Sequence, residues 1–444
     1  MSRPVILFLL LAPYFSWAQD YQNVELIGHW DKEGLPINIR DARFTEVFGF
    51  VMNGEEYGVI GSTLGTHIIH IPQNPTEDLT EASYIPGPQQ GVNVIHRDYD
   101  VWQNYLYAVG EQGQPRLQII DLSYLPDSTH MVYDSDSLIT NAHNFRIDQT
   151  TGKAYVCGSS GIPMIILDLV QDPENPVKLL DYFDVGYVHD AFIRNDTAWL
   201  NCASQGLWVV DFADVNAPLV LGNLTDYPDQ GYNHSGWVNT NASLYAFADE
   251  TEGMRMKLCD ITDLSDIQVT DLFNSEGASN AIPHNLMIIG DLVYVSHYFD
   301  GLQIFNISDP FNVERVAWYD TSVGEDICCW GAWGVYPFLP SRKILISDRQ
   351  NGFYVFRLDL DDPNPLAAPF GNDGFEPLLP PQEMVFYEVF SSQGKLVDFG
   401  ERSWADAQAH FYKSEQVQLS DGVYLVKWYL PEGAEVSRFI IRSK

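Results

Sequence analysis

Short runs of alternating apolar and polar positions recur along the chain. The clearest is Gly301–Pro310: a small residue, an alternating apolar run, a polar residue where the run stops, then a turn. Arg116–Asp121, Pro163–Asp168, Gly206–Asp211 and Arg255–Asp260 repeat it closely, and Gly65–His70 and Gly352–Arg357 repeat it more loosely. The seven copies close at residues 70, 121, 168, 211, 260, 306 and 357, with spacings of 43 to 51 residues. Period-two alternation marks strands with one packed face. A β-rich unit repeated at this length predicts a β-propeller rather than a helical solenoid.

Each unit reads as four strands joined by turns rich in Asp, Asn and Pro, residues that preset φ or bond their own backbone. Unit seven runs into Pro-rich sequence after Asp361, where its fourth strand should lie. The segment from Asn23 to Trp30 resembles the fourth strands of other units, so it is expected to complete the last blade and close the ring, removing open sheet edges. The predicted fold is all-β: a seven-bladed propeller over residues 19–361, a linker over 362–381, and a small β-sandwich over 382–444. The linker carries Pro363, Pro365, Pro369, Pro377, Pro380 and Pro381.

Composition narrows the function. Of 444 residues only 19% are charged, yet the formal net charge is -36. Nucleic acid and anionic membrane surfaces are excluded as partners, because phosphate binding needs clustered Lys and Arg. The charge suits an acidic extracellular protein; calcium binding by the many Asp residues is the alternative, without a recognisable calcium loop. Residues 1–18 read as a signal peptide, with Arg3, an apolar run from Val5 to Leu11, and Ala18 before the cleavage point. No segment is long and apolar enough for a transmembrane helix. The five cysteines form no even framework: Cys157, Cys202 and Cys259 read as buried apolar residues, and Cys328 with Cys329 as buried residues or a vicinal disulfide.

The first strands carry the candidate chemistry. Counting back from the aromatic of each second strand gives Glu46, His96, His143, His189, His234, His284 and Trp330. First strands surround a propeller's central channel, so these residues should ring one end of it. Five imidazoles at one level suit either of two roles. They could hold a metal ion as cofactor, or each could bond the next blade's backbone. Opposite sides of the ring are expected to be too far apart to share one ion. Motifs for serine hydrolases, zinc proteases, dinucleotide binding and phosphate loops are missing, so no catalytic residues are assigned.

Several stretches resemble the choice-of-anchor B family, secreted bacterial proteins built from LVIVD-type propeller repeats. They are Glu55–Thr66, His96–Asp98, Ala142–Phe145, Gly231–Trp237, Pro283–Leu286 and Gly331–Phe338, spread over residues 23–358. The first unit departs from the pattern at Thr45 and Glu46 and in ending its third strand on His70, so a less regular first blade is expected. The resemblance implies a propeller held at the cell surface, and no reaction. Phe390–Val397, Leu419–Val426 and the terminal Arg438–Lys444 are similar to the type A sorting domain of type IX secretion. That implies the type IX secretion machinery as a partner, and secretion or outer-membrane display in a Bacteroidota-like bacterium. The alternative is an ordinary ligand-binding sandwich. The combined expectation is an exported binding scaffold for an extracellular protein or carbohydrate ligand. The alternative is an extracellular hydrolase or lyase working at the channel mouth.

Overall fold

A computed structural model describes residues 21–277, 280–322 and 329–360, together with the backbone of four C-terminal strands. The expected signal peptide, the Pro-rich linker and Cys328 lie outside the described residues. Strands are the only regular elements described, and no described helix is long and apolar enough to cross a membrane.

Seven antiparallel sheets form the blades of a propeller. In chain order, their first strands are Phe44–Met52, Arg97–Trp102, Asn144–Asp148, Asp190–Arg194, Asn233–Val238, Asn285–Ile289 and Ala332–Tyr336. The repeated stretches are the third strands, Gly65–Ile71, Leu117–Asp121, Ile162–Asp168, Leu207–Asp211, Met256–Asp260, Leu302–Asn306 and Gly352–Leu358. Their closing polar residue bonds the backbone two positions on. Asp121 accepts from the Ser123 amide at 2.9 Å, Asp168 from Val170 at 2.8 Å, Asp211 from Ala213 at 2.8 Å, and Asp260 from Thr262 at 2.9 Å. Asn306 does the same for Ser308 at 2.9 Å. Such a side chain ends the strand by supplying the turn's hydrogen bond itself. In blade one, His70 makes no such turn; its Nε2 lies 3.2 Å from Glu55 Oε2.

Blade seven takes its fourth strand from the other end of the chain. Val24–Trp30 runs antiparallel to Gly352–Leu358, with Glu25 opposite Arg357 and Trp30 opposite Phe353. Tyr21 and Gln22 add a short fifth strand to blade six, opposite Tyr319 and Trp318. Four further strands, Met384–Ser391, Leu396–Ser403, Gly422–Tyr429 and Glu435–Arg442, form one antiparallel sheet. A second layer for the expected sandwich falls outside the described residues.

The core lies between blades. Third strands are almost wholly buried, whereas fourth strands such as Val177–Tyr182 show only their inner end to the core. Cys157 and Cys202 are fully buried in one inter-blade cluster with Tyr155, Ile166 and Phe212, and Cys259 packs in the next. All three are free thiols acting as small apolar fillers.

Candidate functional site at the channel mouth

First strands converge on the propeller axis, and their side chains fill it in three tiers. At one mouth, where the first strands begin, five imidazoles and an indole meet in a closed ring. Consecutive centroids are 4.4 Å apart for His96–His143, 4.0 Å for His143–His189, 4.1 Å for His189–His234 and 4.4 Å for His234–His284. Trp333 completes the circle, 4.1 Å from His284 and 5.7 Å from His96. The five expected histidines are therefore brought together.

Two of the expected ring members are not. The fixed spacing pointed to Trp330, but Trp330 lies in the approach to the strand and Trp333 holds the position. Steps of 46 residues to Trp330 and 49 to Trp333 both fall within the ordinary variation of the repeat, so the count could not separate the two tryptophans. Trp333 sits in a register shift between Ala332 and Gly334, as His234 does between Asn233 and Ser235. Glu46 stands one tier deeper and contributes no ring atom to the circle. With six members instead of seven the ring is tight, and ligand-capable atoms of His143, His189 and His234 lie within 4.8 Å of one another.

The ring binds the blades together in part. His96 Nε2 donates to the His143 carbonyl at 2.6 Å, His189 Nδ1 to the His234 carbonyl at 3.1 Å, and His284 Nδ1 to the Trp333 carbonyl at 2.6 Å. Each bond crosses from one blade to the next. His143 and His234 face acids instead. His143 Nδ1 lies 3.4 Å from Glu111 Oε2, and His234 Nε2 lies 3.5 Å from Glu250 Oε2. Glu250 in turn accepts the Tyr298 hydroxyl. The Nδ1 atoms of His96, His143 and His234 are buried without a hydrogen-bond partner, Glu111 standing beside His143 Nδ1 as an ionic neighbour only.

Electrostatics divide the ring unequally. Burial drives His189, His234 and His284 well below the usual imidazole range, helped by their neighbours' charge, and brings His96 to about 3. Burial also disfavours charge on His143, but Glu111 outweighs it and His143 is raised. Glu111 falls to about 2 despite its own burial, because His143 bonds and attracts its charged form. Burial thus favours the neutral form at four of the five imidazoles, and Glu111 favours the charged form at His143.

Below the histidines lies an ionic tier that sequence reasoning missed. Arg146 sits among Asp98, Asp100, Asp190 and Glu46, and their combined charge holds its guanidinium firmly protonated. Arg146 Nε is 3.7 Å from Asp190 Oδ1. Asp98 accepts the Phe145 amide at 2.7 Å and Asp100 accepts the Ile147 amide at 2.8 Å, both across the blade boundary. Glu46 Oε2 accepts from Asn285 Nδ2 at 2.8 Å. Burial raises Glu46 to about 8, Asp100 to about 7 and Asp190 to about 6, with Arg146 pulling each the other way. Charged residues inside first strands, as in Arg97-Asp98-Tyr99-Asp100, were the available signal.

The opposite mouth is aromatic. Trp237 stacks on Phe338 at 5.3 Å and meets Phe192 at 4.7 Å. A cavity of about 70 Å³ opens there, lined by these residues with Asp100, Arg146 and Met287. The axis is thus a packed core rather than a pore.

No family model matches the chain, and no curated protein does. Among solved structures, one titled "Structure of U3-55K" is similar in fold, with a TM-score of 0.53 at 10% identity, covering 76% of this chain and 98% of that one. Likeness at that identity defines the architecture, a β-propeller, and leaves function to the site.

Proposed function

We propose that the protein is an exported binding scaffold whose recognition face surrounds the histidine floor. The observation that carries this reading is the apolar rim of that face. Ile37, Ile39 and Val92 are 59%, 65% and 52% exposed. Ile39 and Val92 are drawn together by the Ile39 amide bonding the Val92 carbonyl at 2.9 Å, and Ile37 lies two residues away on the same loop. Exposed aliphatic clusters on a rigid frame mark contact surfaces. A propeller supplies that frame, since its loops ride on seven interlocked sheets.

Export is part of the proposal. Residues 1–18 have the form of a signal peptide, and Phe390–Val397 with Leu419–Val426 resemble a type IX sorting domain. The resemblance to the choice-of-anchor B family supports surface display in a Bacteroidota-like bacterium. The partner is an extracellular protein or carbohydrate.

An extracellular hydrolase or lyase is the competing reading, and Asp100 in the aromatic cavity is its best candidate. Both Asp100 oxygens are already committed, Oδ2 to the Ile147 amide at 2.8 Å and Oδ1 to the Val101 amide at 2.7 Å. A carboxyl so occupied serves as a tie between blades rather than as an acid or base.

Arrays of extracellular glycans and matrix proteins probed with the purified full chain test the scaffold reading. Binding to one ligand class is expected, lost in an Ile39→Asp, Val92→Asp variant and kept in a Tyr124→Asp, Phe311→Asp variant of the opposite face. Binding that ignores the first pair, or turnover of a glycan, overturns it.

A further inference from the structure

We propose that His143, His189 and His234 form a binding site for one divalent first-row transition ion of the Zn²⁺ type. Ligand-capable atoms of these three residues all lie within 4.8 Å of one another. A tetrahedral Zn²⁺ with Zn–N bonds near 2.1 Å spaces its nitrogens about 3.4 Å apart. Small side-chain rotations therefore bring the three into a coordination sphere.

His189 is already held as a ligand would be, and His143 and His234 each have a carboxylate beside one nitrogen. A metal-bound histidine usually has its other nitrogen held by a carbonyl or carboxylate, which fixes the ring and makes the free nitrogen more basic. Here His189 Nδ1 is held by the His234 carbonyl at 3.1 Å, His143 Nδ1 lies 3.4 Å from Glu111, and His234 Nε2 lies 3.5 Å from Glu250. One nitrogen of each ring is left over. On His234, which is 2% exposed, that nitrogen is Nδ1, buried without a partner. Buried imidazole nitrogens are normally satisfied, and a cation satisfies this one.

A second triple, His234, Glu250 and His284, also lies within 4.8 Å. It shares His234, so the two triples are alternatives for one ion. Glu250 is engaged by the Tyr298 hydroxyl, which favours the all-histidine set. Three nitrogen donors suit zinc, copper, nickel or iron rather than calcium or magnesium. Three protein ligands leave a tetrahedral ion one open position. The inference does not depend on the scaffold reading, since it rests on ring geometry alone.

The test is titration of the chelator-stripped full chain with Zn²⁺ by calorimetry, and with Co²⁺ by visible absorption. One equivalent of Zn²⁺ should bind with micromolar or tighter Kd, and Co²⁺ should show the intense visible bands of a four-coordinate nitrogen site. His143→Gln and His189→Ala should each weaken binding by about 100-fold. His70→Ala, on a strand of blade one outside the ring, should leave it unchanged. Thermal melts of the stripped variants keep the outcome readable, because His143 lies at the ring's more exposed edge, 15% exposed, where Gln is accommodated. Less than a tenth of an equivalent bound by folded protein, or binding that survives both substitutions, overturns the site. Ligand binding that ignores the Ile39→Asp, Val92→Asp pair, with metal binding intact, refutes only the scaffold reading.

Discussion

Glu46 gives the sharpest test of the axial packing. Its carboxyl is fully buried beside Asp98 and within the field of Asp190, and it stands at about 8 against an ordinary 4.5. A group whose folded pKa lies above its unfolded one stabilises the fold fully below the unfolded pKa. That contribution is lost as pH rises through the folded pKa. Between pH 4.5 and 8 the unfolded chain releases the Glu46 proton while the folded chain keeps it. Each pH unit in that window therefore costs about 1.4 kcal/mol, or about 3 kcal/mol at pH 7 relative to pH 4.5.

Glu46→Gln removes this term and keeps most of the geometry. The amide oxygen can still accept from Asn285, while the amide nitrogen replaces Oε1 and gives up the bond from the Val47 amide, a loss that does not vary with pH. Urea unfolding followed by tryptophan fluorescence from pH 4 to 9 is the assay. Subtracting one stability curve from the other should cancel Asp98, Asp100, Asp190 and Arg146 to first order. It should leave a difference that is flat below pH 4.5, favours the variant by about 3 kcal/mol more at pH 7, and levels off above pH 8. Parallel curves would refute the reasoning. They would mean that Arg146 and Asn285 hold Glu46 ionised at neutral pH, so that the tier is a salt-bridge network instead of a store of protons.

Three further outcomes follow from single contacts. Gly334→Ala would place a Cβ 1.8 Å from Glu46 Oε1 and 2.9 Å from the Val47 amide. It should cost about 2 kcal/mol in urea melts, and less beside Glu46→Ala, because the two share one clash. Lys257 and Asp249 form an ion pair at 2.6 Å with both side chains fully buried. Lys257→Met should cost about 4 kcal/mol by stranding the carboxylate, and adding Asp249→Asn should recover much of it; an unchanged midpoint for the single variant would contradict the pairing. Removing the chain through Trp30 takes away the strand opposite Gly352–Leu358. It should lower Tm by about 10 °C or more in calorimetry; an unshifted transition would show that the ring stays closed without it.

How much of this was legible depended on whether the signal was periodic. The third strands announced themselves because each must alternate apolar side chains and then stop, and Asp121, Asp168, Asp211 and Asp260 stop it by the same two-residue bond. The histidines were legible for the same reason, recurring once per unit. What broke the period was lost. Trp333 was not separable from Trp330 because the repeat length varies by more than the three residues that separate them. Glu111 and Glu250 each directly follow a second strand, but the other five blades carry Thr63, Ser160, Cys202, His297 and Arg349 there, so no repeat announced them. The Arg146 tier was invisible to periodicity, since its members come from different depths of different strands and meet only when the blades close.

The three tiers also explain how one histidine can serve two ends. Seven wedge-shaped sheets leave an axial gap that side chains must fill. Apolar rings can fill it, as Trp237, Phe192 and Phe338 do at one mouth, but they cannot bond the next blade. Imidazole fills the gap and ties the blades, because its two nitrogens point in different directions. In His189 one nitrogen spans to the His234 carbonyl while the other is left to the ring. Structural and ligand roles are then separable nitrogen by nitrogen. A ring built for closure alone needs only the first. The acids beside His143 and His234, which bond no neighbouring backbone in their place, are what closure does not require and metal binding does.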